Sequence, residues 1–365
     1  MQLKARLHGL DHLRALAIFL VFIFHYGPLS AYPPWLADFS RFGWTGVDLF
    51  FVLSGYLIAS QLFAAYQEQE NISLKNFYIK RFFRIIPPYL LVVAIYFLIP
   101  GAREREAPAP LWKYLTFTQN LGLDLSKQGT FSHAWSLCIE EQFYLLLPLV
   151  ILILIKTKTL HKGWWLIPAL SLAGAGLRIW SWHTFVEPAG DDWWIIWYKW
   201  IYYPTCTRLD GLLAGISIAA MLHFKPLFSR RLQEYSYLFL TAGILILTAA
   251  FFLCKDQSTL AASVYGFPLV SVGYGCIVFA AVSPANILYR HSSVITSYIA
   301  ILSYLIYLTH KIVNHLVQDF MTTRGFEKNS LPTFLVAVTA CVLVAVLLRQ
   351  LIEKPAALLR KKLIS

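Results

Sequence analysis

Charge is what this chain has least of. Asp, Glu, Lys and Arg together make up 14% of its 365 residues, where a soluble domain carries roughly 25%. That scarcity excludes an ordinary soluble fold, and a hydrophobic content of 58% points to a polytopic membrane protein. Cysteine is sparse and odd in number. Cys138, Cys206, Cys254, Cys276 and Cys341 have neither metal-ligand spacing nor the look of a disulfide framework. His8, His12, His161 and His291 are scattered, so no zinc site follows from them and no metal is expected. The chain also lacks a G-x-S-x-G elbow, a Walker loop and a convincing internal repeat.

What remains is apolar sequence in long runs. Their lengths predict an all-α membrane protein with ten spanning helices, at residues 11–30, 44–63, 84–100, 135–155, 163–182, 205–223, 236–254, 263–282, 294–314 and 331–352. Trp35, Trp44, Trp164, Trp165, Trp193, Trp194 and Trp197 fall near segment ends, as interfacial aromatic belts require. Lys4, Arg6, Lys75, Lys80 and the tail Arg360-Lys361-Lys362 fall on one side of this topology. That side outweighs the other in basic residues by roughly two to one, so both termini are expected to be cytoplasmic. The formal charge of +12 is therefore a topology signal, and no nucleic-acid partner is expected. Residues 1–30 superficially resemble a signal peptide. Asp11, His12 and Arg14 interrupt the apolar stretch and a second span follows, which favours a mature helix. The Asn71-Ile72-Ser73 sequon falls in a cytoplasmic loop and carries no meaning there.

The few charges inside the spans carry the chemistry. Arg14 and His25 stand eleven residues apart in the first span. Eleven steps make about three turns, which places both on one helix face about 16 Å apart along the axis. Ionisable groups at such depth mark a partner or a polar cavity. Sorted by depth, Asp11, Arg14, Arg81, Arg84, Arg349 and Glu353 form an inner, mostly cationic layer. His25, Asp48, Glu140, Glu141, Arg178, Arg208, Asp210, His310 and Lys311 form an outer, mixed layer. Arg81 and Arg84 share a helix face, and their planar forks suit either phosphate oxygens or positive-inside anchoring. Glu140 is placed to orient His25 as a base, unless it stays wet at the interface. His310 is either a second polar wall or a satisfied interfacial histidine. Arg208 and Asp210 read as a structural ion pair.

Leu10-Asp11-His12-Leu13-Arg14 with His25, the run Gly46 to Ile58, Tyr78 to Tyr89 and Ala134 to Tyr144 together resemble the type-3 membrane acyltransferases. Thr207 to Gly211, Tyr304 to His310 and Leu351 to Pro355 resemble that family's later landmarks, in the same order. The resemblance implies transfer of an acyl group, usually acetyl, onto a hydroxyl of a sugar or other acceptor at the bacterial cytoplasmic (inner) membrane. It also implies that His25 is catalytic, that Arg14 belongs to the same motif, and that Arg81 and Arg84 bind acyl-CoA. Many relatives continue into an extra helix and a periplasmic SGNH-type domain. Here the expectation is a single membrane domain over residues 1–365.

The combined expectation has acyl-CoA, in the usual case acetyl-CoA, entering from the cytoplasm with its phosphates on Arg81, Arg84 and Arg14. His25, oriented by Glu140, deprotonates the hydroxyl of a carbohydrate or lipid-linked sugar acceptor. A covalent acyl-histidine is the alternative route. A transporter or flippase for a lipid-linked sugar is the alternative function, although the paired broken helices of such folds are missing.

Overall fold

A computed structural model describes residues 7–27, 34–68 and 73–364. Lys4, Arg6, the end of the first predicted span and Asn71-Ile72 lie outside the described residues, as does the side chain of Trp35. The chain opens with α1 (His8–Tyr26), α2 (Pro34–Phe42), α3 (Gly46–Gln67), α4 (Leu74–Leu98) and α5 (Leu111–Leu115). Then come α6 (Trp135–Lys156), α7 (Leu166–Ser181), α8 (Trp193–Trp197), α9 (Asp210–Phe224), α10 (Pro226–Glu234) and α11 (Ser236–Leu253). It closes with α12 (Phe267–Ala281), α13 (Ile287–Arg290), α14 (Val294–Thr323), α15 (Leu331–Leu348) and α16 (Lys354–Ile364). Among the described residues the one β-type pairing is an isolated bridge between Pro108 and Thr130.

Helix is the secondary structure expected here, because lipid offers no partner for a free backbone N–H or C=O. Local signals set the ends. Ser73 accepts the Asn76 N–H at 3.3 Å to start α4, and Ser293 accepts the Thr296 N–H at 3.4 Å to start α14. Gly27, at φ +86°, ends α1.

The chain is an all-α, multi-pass membrane protein, but the ten predicted spans need correction. Among the described residues eight helical runs are long and apolar enough to cross a bilayer, or nine if α9 and α10 count as one bent span. The predicted fifth span appears as α7, of 16 residues, which runs on through a π-helical turn at Trp182–Val186, and the sixth as α9, of 15 residues. Fifteen residues rise only about 23 Å, short of a core about 30 Å thick. Pro226 opens α10 at an angle of 112° to α9, so α9 does not simply continue. Helices α7 and α9 also carry the charges of a buried ion pair, Arg178 and Asp210, which shortens their apolar length.

Burial separates an inner from an outer ring. The most apolar window of α12 is 72% buried and those of α1 and α3 are 67% buried, against 17% for α11. Helices α3 and α9 pack at backbone contact. A Cβ at Gly55 would fall on the Leu212 carbonyl, and one at Gly215 would fall on the Val52 carbonyl. Gly55→Val should therefore force the pair apart and destabilise the protein by about 1–3 kcal/mol, the usual cost of overpacking. Thermal unfolding in detergent checks this, and an unchanged midpoint would refute the close packing.

Candidate active site

Five helices enclose a cavity of about 910 Å³, its open mouth included. Each contributes the face that its periodicity predicts. Helix α3 gives Val47, Phe50, Ser54, Leu57, Ile58 and Gln61, α6 gives Ser136, Glu140 and Tyr144, and α14 gives Ser303, Tyr304 and Tyr307. Arg14 of α1 and Arg81 and Arg84 of α4 supply the cationic part of the lining. The structure thus brings together three arginines that lie up to 70 residues apart in sequence.

The arginines are held unequally. Arg81 is half-buried, donates to the Gln61 side-chain carbonyl at 3.3 Å and lies over the Tyr144 ring at 5.0 Å. Arg84 is exposed, and Arg14 is half-buried close to it. Glu140 accepts from Tyr144 Oη at 2.7 Å and from Ser54 Oγ at 3.1 Å. It therefore braces the tyrosine on which Arg81 rests. Glu141 lines the same cavity.

The cavity reaches Ser136 and Tyr307, whose hydroxyls are 2.5 Å apart. Tyr307 Oη also donates to the His133 carbonyl at 2.7 Å, so Ser136 must be the donor in the first pair. Next to this tyrosine lies a cluster of three imidazoles. His25 Nδ1 is 2.9 Å from His310 Nε2. His133 packs against His310 at 4.9 Å and against His25 at 5.9 Å between ring centroids. His310 and His133 are 0% and 2% exposed, and His25 is half-buried. Neither ring nitrogen of His133 meets hydrogen-bond geometry with any described residue. Beside the cluster Lys311 pairs with Glu104 at 3.4 Å, and Glu104 also accepts the Phe131 N–H at 3.3 Å. This ties the 101–134 loop to α14. Among the described residues no group of three or more His, Cys, Asp or Glu side chains is arranged to hold a metal ion.

Two expected pairings are corrected. Glu140 does not orient His25: its partners are Ser54 and Tyr144, and the imidazole beside His25 belongs to His310. Arg208 and Asp210 do not pair with each other. Arg208 meets Asp48 at 3.0 Å, while Arg178 meets Asp210 through two contacts at 2.5 and 3.3 Å. The residue that sequence reasoning missed is His133. Its only signal is that it immediately precedes the Ala134-Trp135-Ser136 motif. The turn that aims it contains Phe131 at φ +55°, a left-handed conformation that a bulky residue rarely adopts.

Comparison with known proteins adds a family. The domain described as "Acyltransferase domain" matches residues 7–350. The O-acetyltransferase OatA of Staphylococcus aureus, strain NCTC 8325 / PS 47, is 32% identical over 305 residues, which cover 77% of this chain and 46% of that protein. A protein of S. aureus strain COL, provisionally named an O-acetyltransferase, is 28% identical over 331 residues, covering 86% of this chain and 51% of its own length. The chain spans about half the length of these curated relatives. No solved structure matches it.

Proposed function

This chain belongs to the type-3 membrane acyltransferase family, and from that premise we propose that it transfers an acyl group from acyl-CoA to a hydroxyl of a sugar or surface-polysaccharide precursor. The donor is acetyl-CoA, delivered from the cytoplasm, and the membrane is the bacterial inner membrane. Residues 7–350 form the transmembrane acyltransferase domain, and both of its ends face the cytoplasm. The observation that carries the reading is the cavity itself, which joins three arginines to a wall that abuts the imidazole cluster.

In this mechanism Arg81, Arg84 and Arg14 hold the donor's phosphates, since guanidinium forks match phosphate oxygens. The pantetheine arm lies along the apolar face of α3, at Val47, Phe50, Leu57 and Ile58. The thioester reaches Ser136 and Tyr307. His25 removes the acceptor hydroxyl's proton as that oxygen attacks the thioester carbon. The C–S bond breaks, and the proton passes to the leaving thiolate to give free CoA. Glu140 acts on the donor side as a positioning residue, keeping Tyr144 under Arg81.

The test is purified protein in lipid with radiolabelled acetyl-CoA and a carbohydrate acceptor extract. Label transfer that is lost in His25→Asn and retained in His291→Ala supports the enzyme. Flux of a sugar without label transfer supports the transporter instead. A second expectation separates binding from chemistry. Arg81→Ala should raise the donor KM about 10-fold, as the loss of one charge-assisted contact to phosphate implies. Arg84→Ala should raise it less, because solvent screens an exposed guanidinium. Unchanged KM values with depressed kcat in both variants would remove the arginines from donor binding.

A further inference from the structure

We infer that His310 is a positioning residue that fixes the tautomer of His25, so that His25 Nε2 is the proton-accepting atom of the reaction. The inference rests on the reading of His25 as base, and it names the atom and the partner that this reading leaves open.

The argument follows the hydrogen bonds outward from the helix backbone. His310 Nδ1 lies 2.8 Å from the Tyr307 carbonyl and 3.2 Å from the Ile306 carbonyl. A carbonyl only accepts, so Nδ1 of His310 carries the proton. In a neutral imidazole the other nitrogen then holds a lone pair, which makes His310 Nε2 an acceptor. That atom faces His25 Nδ1 at 2.9 Å, so His25 must donate from Nδ1. With its proton held at Nδ1, His25 keeps the Nε2 lone pair available for a hydroxyl proton. Once that proton is taken, His25 is an imidazolium that still donates to His310 through Nδ1. His310 itself gains and loses no proton, and the proton on His25 Nε2 leaves with the thiol product.

Burial gives this chain its direction. His310 is 0% exposed, so water does not compete for its two nitrogens. The backbone carbonyls of α14 cannot change role, whereas a hydroxyl partner could. This is the logic of a base whose orienting partner sets its tautomer, here with an imidazole in place of a carboxylate.

Two measurements test the inference. In protein labelled with 15N-histidine and held in lipid nanodiscs, nitrogen spectra should assign a protonated Nδ1 and an unprotonated Nε2 to His25, identified by the loss of its signals in His25→Asn. In His310→Leu the Nδ1 acceptor is gone, and His25 should shift toward the Nε2–H form. Turnover should fall about 10²–10⁴-fold in His310→Leu with little change in donor KM, the range for a misplaced general base. His310→Gln offers a carbonyl to the same Nδ1–H and should recover at least 10-fold over His310→Leu. A wild-type His25 protonated at Nε2, or equal turnover in the Gln and Leu variants, overturns the inference. If His25→Asn turns over normally, the catalytic reading of His25 fails instead, and the nitrogen spectra still decide the tautomer.

Discussion

His25→Asn should lower acyl transfer by about 10²–10⁴-fold, the contribution of a positioned general base, while leaving donor KM and thermal stability close to the parent. Asparagine is the informative replacement. Its side-chain amide can still donate toward His310 Nε2, the contact that His25 Nδ1 makes at 2.9 Å. Alanine would leave that buried nitrogen without a partner and add a folding penalty of about 1–3 kcal/mol. A loss of activity in the asparagine variant with an unaltered melting temperature therefore reports chemistry alone. Turnover within a factor of two of the parent would remove His25 from the reaction. Single-turnover kinetics on the same pair also separates the two routes, because a rapid burst of bound acyl group that vanishes with His25 is the sign of an acyl-histidine.

Asp48→Leu should destabilise the fold by about 3–5 kcal/mol, because it strands a cation in the interior. Arg208 and Asp48 are 2% exposed, and the guanidinium is enclosed by the rings of Phe267 at 4.1 Å and Tyr202 at 4.9 Å. The aromatic faces attract the cation but cannot replace a carboxylate. A second substitution, Arg208→Leu, should return part of the loss, since removing both charges removes both desolvation costs. Unfolding midpoints of the two single variants and the double variant in detergent give the coupling. Strictly additive effects would mean that the pair contributes nothing as a pair. Neither Asp48 nor Arg208 lines the arginine-bearing cavity, so any surviving Asp48→Leu protein should keep the parent's donor KM.

Much of the site was legible from spacing. Arg81 and Arg84 lie three residues apart, and both reach the cavity that Arg14 also lines. In α14 the series Ser303, Tyr304, Tyr307 and His310 follows one helix face, and it meets the cavity and then His25. What was misread were partners. Arg208 and Asp210 are two residues apart, and neighbours at that spacing do not face each other along a helix. Arg208 precedes α9, with φ −133° and ψ 26°, and points instead to Asp48 on α3. Counting from helix ends puts Glu140 and His25 in one layer, but such a count leaves rotation about each helix axis undetermined, and Glu140 instead lines the cavity with Arg14 and Arg81. His133 belongs to no periodic stripe. A turn in the 101–134 loop delivers it, and turns of that kind leave no periodic trace in sequence.

The sequence by itself determined the membrane class and the approximate place of most spans. These are properties of position along a helix, and the bilayer enforces them by penalising exposed polar groups. Tertiary structure decided which carboxylate meets which guanidinium, that an imidazole rather than a glutamate faces His25, and that α9 stops short and bends into α10. Those outcomes depend on how the helices are rotated and docked against one another. Contacts such as Gly55 against Leu212 set that arrangement between segments more than 150 residues apart.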